Sequence, residues 1–500
     1  MSLMGLDIGI NGCRALVVSQ RGPILANVGR AYDPASTRSP CELDVRPIWA
    51  AISSAIKEAA ARTANDPITA LAISSVGEAI TPLSREGTVL AGCLLGHDPR
   101  GSDNLARVVE RLGRQRFHDI TGRVPGPSHT LSKLCWLREN EPGLYRDTWR
   151  FSLVGGLAAH LLGGSTQCDY SLAGGTLCFD MRQKAWSRDV LSVCGVSPGK
   201  LPELATAGTR IGMMAPRIAQ ELDLPSHVGI VLGGHDLACN ALGAGVVRNG
   251  LAALALGPSV HLTPAFHAVP LVSMLLREGL SLEYHVVPDL LLTDYYTRAG
   301  GAWVRWFANR LTPLEQREAT RRGISLYRTL LEEMPAEPTS LLAVPPRYEP
   351  TLQPGAIQGL TLETERGELI KGLLEGIMLH LGVGQERLEQ IGVSIESYRA
   401  TGGGARSDAW LQLCADVLDR PVERTRTEHT AALGAALLAG VGSGAFGTLR
   451  DAAERLSWPE QTFEPDPRRA RVYRERLAQV GEWASAPQPM PLKPGQAAGA

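Results

Sequence analysis

The order in which strand-like and helix-like stretches follow one another constrains this chain most. LMGLDIGI, RALVVSQ and PILANVGRAY, all within residues 3–32, are apolar runs separated by NG and RGP turn signals. PIWAAISSAIKEAAART (47–63) opens with Pro47 near a first turn and repeats apolar residues at helical spacing, and ITALAISSV (68–76) returns to a buried-strand composition. Three strands, a helix and a strand in that order predict an α/β unit. A second hairpin-like opening at LAALALGPSVHLTP (251–264) leads to a long helical segment at 367–392. The strand SYRAT, the helix DAWLQLCADVLDR, the strand PVERT and the small-residue helix TAALGAALLAGVG follow. The halves share no residue-level repeat, so duplication rests on the order of elements.

At 500 residues the chain exceeds what one hydrophobic core serves, and two large domains are expected. The boundaries read as 1–247 and 248–455, with a helical extension at 456–485 containing a solvent-exposed helix at 466–484. A disordered tail rich in Pro, Gly and Ala is expected at 486–500. Val228 to Asn249 then falls at the junction of two α/β lobes, where ligand clefts gather. Lys plus Arg number 50 against 51 Asp plus Glu, so no basic surplus offsets a nucleic-acid backbone or an anionic membrane. The nine cysteines are scattered and form no C-x-x-C pair, which reads as reduced thiols in a cytoplasmic protein. The N-terminus has Asp7 in its first apolar run and no basic region, so no signal peptide is expected, and no stretch offers the roughly 20 apolar residues of a membrane span.

Asp236 is the sharpest candidate for chemistry. In GGHDLACNALGAG (233–245) it is the one formally charged side chain between Leu224 and Val247. Burying an unpaired carboxylate is costly, so this aspartate needs a partner, a task as a proton acceptor, or a place as the N-cap of the helix after it. GLDIGINGCR sets Asp7 and two glycines between a strand and a turn, where backbone amides approach phosphates and a carboxylate holds hydrated Mg²⁺. ATGGGARSDAW (400–410) places three glycines between strand and helix, open to a base or phosphate, or simply a tight crossover. Glu78 follows one apolar strand, and His97, Asp98 and Arg100 follow another; each reads either as a sugar contact or as a surface charge. Metal-ligand spacing, a P-loop, a Rossmann fingerprint and a G-x-S-x-G elbow are absent from the sequence.

Taken in order, these segments resemble the FGGY carbohydrate kinases, most closely their xylulokinase-like members, from about residue 3 to 480. DIG matches the D-x-G phosphate loop, ITGRVPGPSHTLSKLCWLRENEP the family's "TG … sKl-W-l … P" segment, and GGHDLACNALGAG the run around the catalytic aspartate. TGGGARSDAWLQLCADVLDRPVERTRTEHTAALGAALLAG matches the long C-terminal signature. The resemblance implies an actin-like, ribonuclease-H-like fold of two lobes around a central cleft, ATP and Mg²⁺ as cofactors, and phosphorylation of a ketopentose such as xylulose or a related sugar. A small-molecule sugar is the implied partner, and a homodimer is the family-level expectation. It also implies roles: Asp236 as general base, and Asp7, Gly9, Asn11, Gly257 and Ser259 at the phosphates, Asp7 meeting the metal through water. Gly77, Glu78, Asp98 and Arg100 fall to the sugar, and Gly301, Gly403, Gly404 and Asp408 to the nucleotide. The chain departs from the family where G-T-S becomes Gly257, Pro258, Ser259, where Ile10 and Asn11 replace Thr or Ser, where the Q-M-H-G sugar motif becomes Val76 to Ala79, and where RYEPTLQP (347–354) replaces G-E-R-x-P.

Overall fold

A strand buried on both faces needs an unbroken apolar run, and SLMGLDI supplies one: β1 (Ser2–Ile8) is buried up to Asp7. It pairs antiparallel with β2 (Gly12–Ser19), which pairs antiparallel with β3 (Ile24–Ala31). The computed structural model describes residues 1–32, 41–267, 272–347 and 353–485; the tail at 486–500 and most of RYEPTLQP lie outside them. Helix α1 (Val45–Arg62) starts at Asp44, whose carboxylate accepts from the Arg46 N–H, and turns Ile48, Ala51, Ile52, Ala55, Ile56 and Ala59 onto β2 and β3. Next come β4 (Ile68–Ser75), β5 (Arg210–Met213) and β6 (Gly229–His235). They complete a sheet in the order β5-β6-β4-β1-β2-β3, with β6, β4 and β1 parallel.

The described chain divides into two compact units that do not follow linear order. Met1–Leu251, Thr263–Asp294 and His429–Trp458 form the first; Ala252–Leu262, Tyr295–Glu428 and the chain from Pro459 form the second. The linear boundaries at 247 and 455 therefore do not coincide with these units. One physical reason is the helix Thr430–Gly442, which packs on β1, β4 and β6 although it lies far away in sequence. Gly5 on β1 makes this approach possible, because a Cβ there would stand 1.7 Å from the Ala432 carbonyl oxygen. A second reason is the hairpin that pairs Leu291–Thr293 with Leu282–Tyr284 and places Glu283 in the first unit.

The second large sheet repeats the strand order of the first. Pro459–Phe463 is the antiparallel edge beside Val422–Thr425, which runs parallel to Ile395–Thr401. Then come β7 (Gly250–Leu256), β8 (Val260–Phe266) and the antiparallel Tyr295–Thr297. The duplication expected from element order is thus visible as topology. The C-terminal helix Pro467–Ser485 was expected to be solvent-exposed, but Ala470, Tyr473, Leu477 and Val480 are buried, and the Tyr473 hydroxyl donates to Glu375 Oε1 at 2.7 Å. Their spacing of three and four makes one apolar stripe, which overrides the charges on the other face.

Candidate functional site

Three parallel strands of the first unit end side by side. In register, Asp7 of β1 lies opposite Ser74 of β4, Gly234 of β6 is also paired with Ser74, and His235 is paired with Ser75. The carboxyl ends of parallel strands are where open α/β sheets collect ligands, because the backbone leaves the sheet there. Ser74 Oγ donates to Asp7 Oδ1 at 2.8 Å. Burial, followed by the negative charge of Asp236, pushes the Asp7 carboxyl up to about 7, against the pull of Ser74 and Arg14. Beyond Asp7 the chain turns tightly: the Gly9 N–H is taken by the Gly12 carbonyl at 2.9 Å, and Ile10 and Asn11 are exposed at the tip.

Asp236 is the first residue of α2 (Asp236–Gly243), and the N-cap position belongs to His235, whose backbone is still extended. The capping alternative for Asp236 is therefore corrected, since β6 continues one residue further than the helix pattern suggests. Its carboxylate remains favourable in the first turn of a helix, where N–H groups concentrate positive potential. Nor does Asp236 stand alone: His235 Nε2 lies 3.3 Å from its Oδ1, and His235 Nδ1 lies 2.7 Å from Glu283 Oε1. Arg123 completes the line with an N–H donated to Glu283 Oε2 at 2.8 Å. Burial raises the Glu283 carboxyl, but His235 and Arg123 outweigh it and hold Glu283 below the usual range.

Glu78 enters from the turn after β4, in the left-handed region at φ 61°. Thr130 Oγ1 donates to its carbonyl at 3.0 Å, and its Oε1 lies 3.9 Å from His129 Nδ1. Burial raises its carboxyl, opposed by His235 and Arg123. Fully buried Lys133 donates to the carbonyls of Ser128 at 2.8 Å, His129 at 3.2 Å and Gly96 at 3.3 Å. Burial lowers its ammonium to about 8, with Glu78 and Asp98 acting against that fall. Asp98 and Arg100 satisfy each other: Arg100 Nε donates to both Asp98 oxygens at 3.0 and 2.8 Å, and its terminal nitrogen meets Glu42 Oε1 at 2.7 Å. The Arg100 guanidinium also lies over the Trp136 ring, and His97 is exposed. Asp98 is buried and Arg100 half-buried, so the pair is not an exposed surface charge.

His235, Glu283, Arg123 and Lys133 were not among the residues singled out from sequence. A signal existed for three of them: His235 adjoins Asp236, Glu283 is the one formally charged residue in LSLEYHVVP (280–288), and Lys133 is the lysine of the matched sKl segment. Arg123 acquires meaning only through its burial beside Glu283.

The second unit carries its candidates on backbone. In the loop after β7, the Gly257 N–H meets the Ser259 carbonyl at 3.1 Å, and the carbonyls of Gly257 and Pro258 accept from Gly301 and Ala302, each at 2.9 Å. The first amides of α3 (Gly301–Leu311) therefore pin this loop. Ser259 Oγ lies 2.8 Å from His261 Nε2, and the His261 ring stacks on Tyr296. After Ile395–Thr401, Gly404 is wedged so that a Cβ would stand 2.6 Å from the Trp410 ring and 2.7 Å from Leu256 Cβ. A Cβ at Gly403 would meet nothing within 4 Å. Asp408 starts α4 (Asp408–Leu418), is exposed, and is ion-paired with Arg424, which also donates to the Ala405 carbonyl at 2.9 Å.

Among the described residues no group of three His, Cys, Asp or Glu side chains forms a ready metal cage, and no helix is long and apolar enough to cross a membrane. Asp7 fits a hydrated divalent cation all the same: its carboxyl is raised by burial and by a neighbouring carboxylate, a state that an added positive charge relieves.

The profile of the FGGY family of carbohydrate kinases, N-terminal domain, matches residues 2–243, and that of its C-terminal domain matches residues 267–443. The chain is 25% identical over 492 residues to a xylulose kinase of Bacillus subtilis, covering 94% of each. It is 28% identical over 502 residues to an autoinducer-2 kinase of Klebsiella pneumoniae, covering 95% of this chain and 92% of that one. The crystal structure of xylulose kinase from Rhodospirillum rubrum has the same fold, with a TM-score of 0.83 at 24% identity over 97% of this chain and 98% of the other.

Proposed function

This chain belongs to the FGGY family of carbohydrate kinases, and from that premise we propose that it transfers the γ-phosphoryl group of ATP to a hydroxyl of a ketopentose such as xylulose. The observation that carries the reading is Asp236, set on the first turn of α2 at the end of β6 and electrostatically coupled to Asp7 at the end of β1.

Asp236 takes the proton of the sugar hydroxyl, the oxygen forms a bond to the γ-phosphorus, and the bond to the β,γ-bridging oxygen breaks to release ADP. Phosphoryl transfer needs little covalent help from the protein, so position and electrostatics account for most of the rate. Asp7, through water, is the residue that would hold Mg²⁺, which supplies positive charge at the phosphates. Gly9, Asn11, Gly257 and Ser259 are assigned to the phosphates, and Gly301, Gly403, Gly404 and Asp408 to the nucleotide. Gly77 and Glu78 are assigned to the sugar, with Asp98 and Arg100 bracing that wall through Glu42 and Trp136. Identity of 28% with an autoinducer-2 kinase favours autoinducer-2 as the second acceptor to consider.

The test is ADP release by the purified protein with xylulose, ribulose, autoinducer-2, gluconate, glycerol and erythritol, beside Asp236→Asn. Turnover is expected to be fastest with a ketopentose and to fall by about 10²- to 10⁴-fold in Asp236→Asn. Preference for gluconate would overturn the substrate class, and full activity in Asp236→Asn would remove the base assignment.

A further inference from the structure

We propose that His235 is a positioning residue for the reaction: clamped by Glu283 and Arg123, its imidazolium holds the Asp236 carboxylate in one orientation while the hydroxyl proton is taken. The inference rests on the reading of Asp236 as the base.

Both ring nitrogens face carboxylate oxygens, Nδ1 toward Glu283 at 2.7 Å and Nε2 toward Asp236 at 3.3 Å. A neutral imidazole has one N–H and one lone pair, and in either tautomer it would aim that lone pair at an anion. The doubly protonated ring satisfies both sides. Its surroundings fix it further. The His235 N–H donates to Ser171 Oγ at 2.9 Å, and that hydroxyl donates to Asp169 Oδ2 at 2.6 Å. Gly77 closes over the ring, since a Cβ there would lie 3.2 Å from Cδ2 and Nε2. The line runs inward to outward: the Glu283 side chain is 2% exposed, that of His235 14% and that of Asp236 40%. A buried anion thus secures a cation that reaches an accessible carboxylate.

The charged groups facing His235 are Glu283, Asp236, Glu78 and Asp169, with Arg123 beyond Glu283. Burial by itself would lower the imidazole, but Glu283, Asp236 and Glu78 overcome it and raise the ring to about 10. The ring therefore keeps both protons through neutral pH and acts by holding Asp236, without shuttling the proton onward.

The decisive variant is Glu283→Gln, which keeps shape and removes charge, with His235→Ala as companion. In Glu283→Gln, His235 loses its main anionic partner and its titration drops toward the ordinary value of about 6.5. The expected result is a kcat loss of roughly 10- to 100-fold at pH 8, recovering toward pH 6, with KM for ATP unchanged. A folded Glu283→Gln protein with wild-type kcat and pH profile overturns the proposal, as does a loss equal at every pH, which marks a merely structural contact. If His235→Ala does not fold, Glu283→Gln decides alone. Full turnover in Asp236→Asn would instead remove the base reading itself, so the two failures are distinguishable.

Discussion

Two sheets with the same strand order carry opposite chemistry at matching turns. After β1 and β4 of the first unit come Gly9 to Asn11 and Val76 to Ala79, flanked by Asp7 and containing Glu78. After the corresponding β7 and Ile395–Thr401 of the second unit come Gly257 to Ser259 and Gly402 to Gly404, with no carboxylate among them. The first pair positions ionisable side chains whose titration is shifted by burial and by the nearby Asp236; the second presents backbone, locked by hydrogen bonds and close packing. A duplicated topology thus supplies two equivalent sets of sheet ends, and the residues placed there decide whether an end presents carboxylates or bare backbone.

That contrast breaks if charge removal in the first unit is harmless. Asp7→Asn is expected to lower kcat by about 10²-fold or more in the ADP-release assay. It also separates function from stability. In the folded chain Asp7 keeps its proton to about 7, against an ordinary value of 3.8, so between those values the folded state binds more protons than the unfolded one. Stability contributed at this position therefore falls as pH rises from about 4 to 7. Thermal melts should show Asp7→Asn more stable than wild type at pH 8, with the advantage gone below about pH 4.

Packing in the second unit is tested by Gly404→Val, whose side chain meets Trp410 and Leu256. A destabilisation of about 1–3 kcal/mol in denaturant melts, with a raised KM for ATP, is the expected outcome; a changed sugar KM and an unchanged ATP KM would reverse the contrast. Glu78→Gln should do the opposite, raising sugar KM about tenfold, equivalent to roughly 1.4 kcal/mol, and leaving ATP KM alone. The smallest effect is expected from Pro258→Thr. It restores an amide and a hydroxyl to the loop after β7, and one added hydrogen bond should lower ATP KM by about two- to tenfold. Steady-state kinetics with either substrate varied reads both.

Much of the fold was legible because it rests on local patterning. The runs behind β1, β2, β3, α1 and β4 all form the elements expected of them, since apolar periodicity and turn residues act within a few positions. Asp236 was legible for the same reason, as a charge in an apolar stretch. The C-terminal helix departs from its expected exposure because arginines dominate its composition while four spaced residues govern its packing. His235 is not legible in this way because a histidine carries no formal charge in sequence; its charge comes from Glu283, 48 residues away along the chain.

By itself the sequence determined the α/β elements, their duplicated order, the family, and the aspartates around which the chemistry is proposed. Each of these is a property of short windows, where side-chain pattern and turn chemistry act directly. Only the tertiary structure decided that the helix Thr430–Gly442 belongs with β1, that His235 instead of Asp236 occupies the N-cap position of α2, and that Glu283 and Arg123 stand behind them. Those outcomes depend on burial and on charges brought within 4 Å across long stretches of chain. Electrostatic energy follows distance in space, which separation in sequence does not reveal.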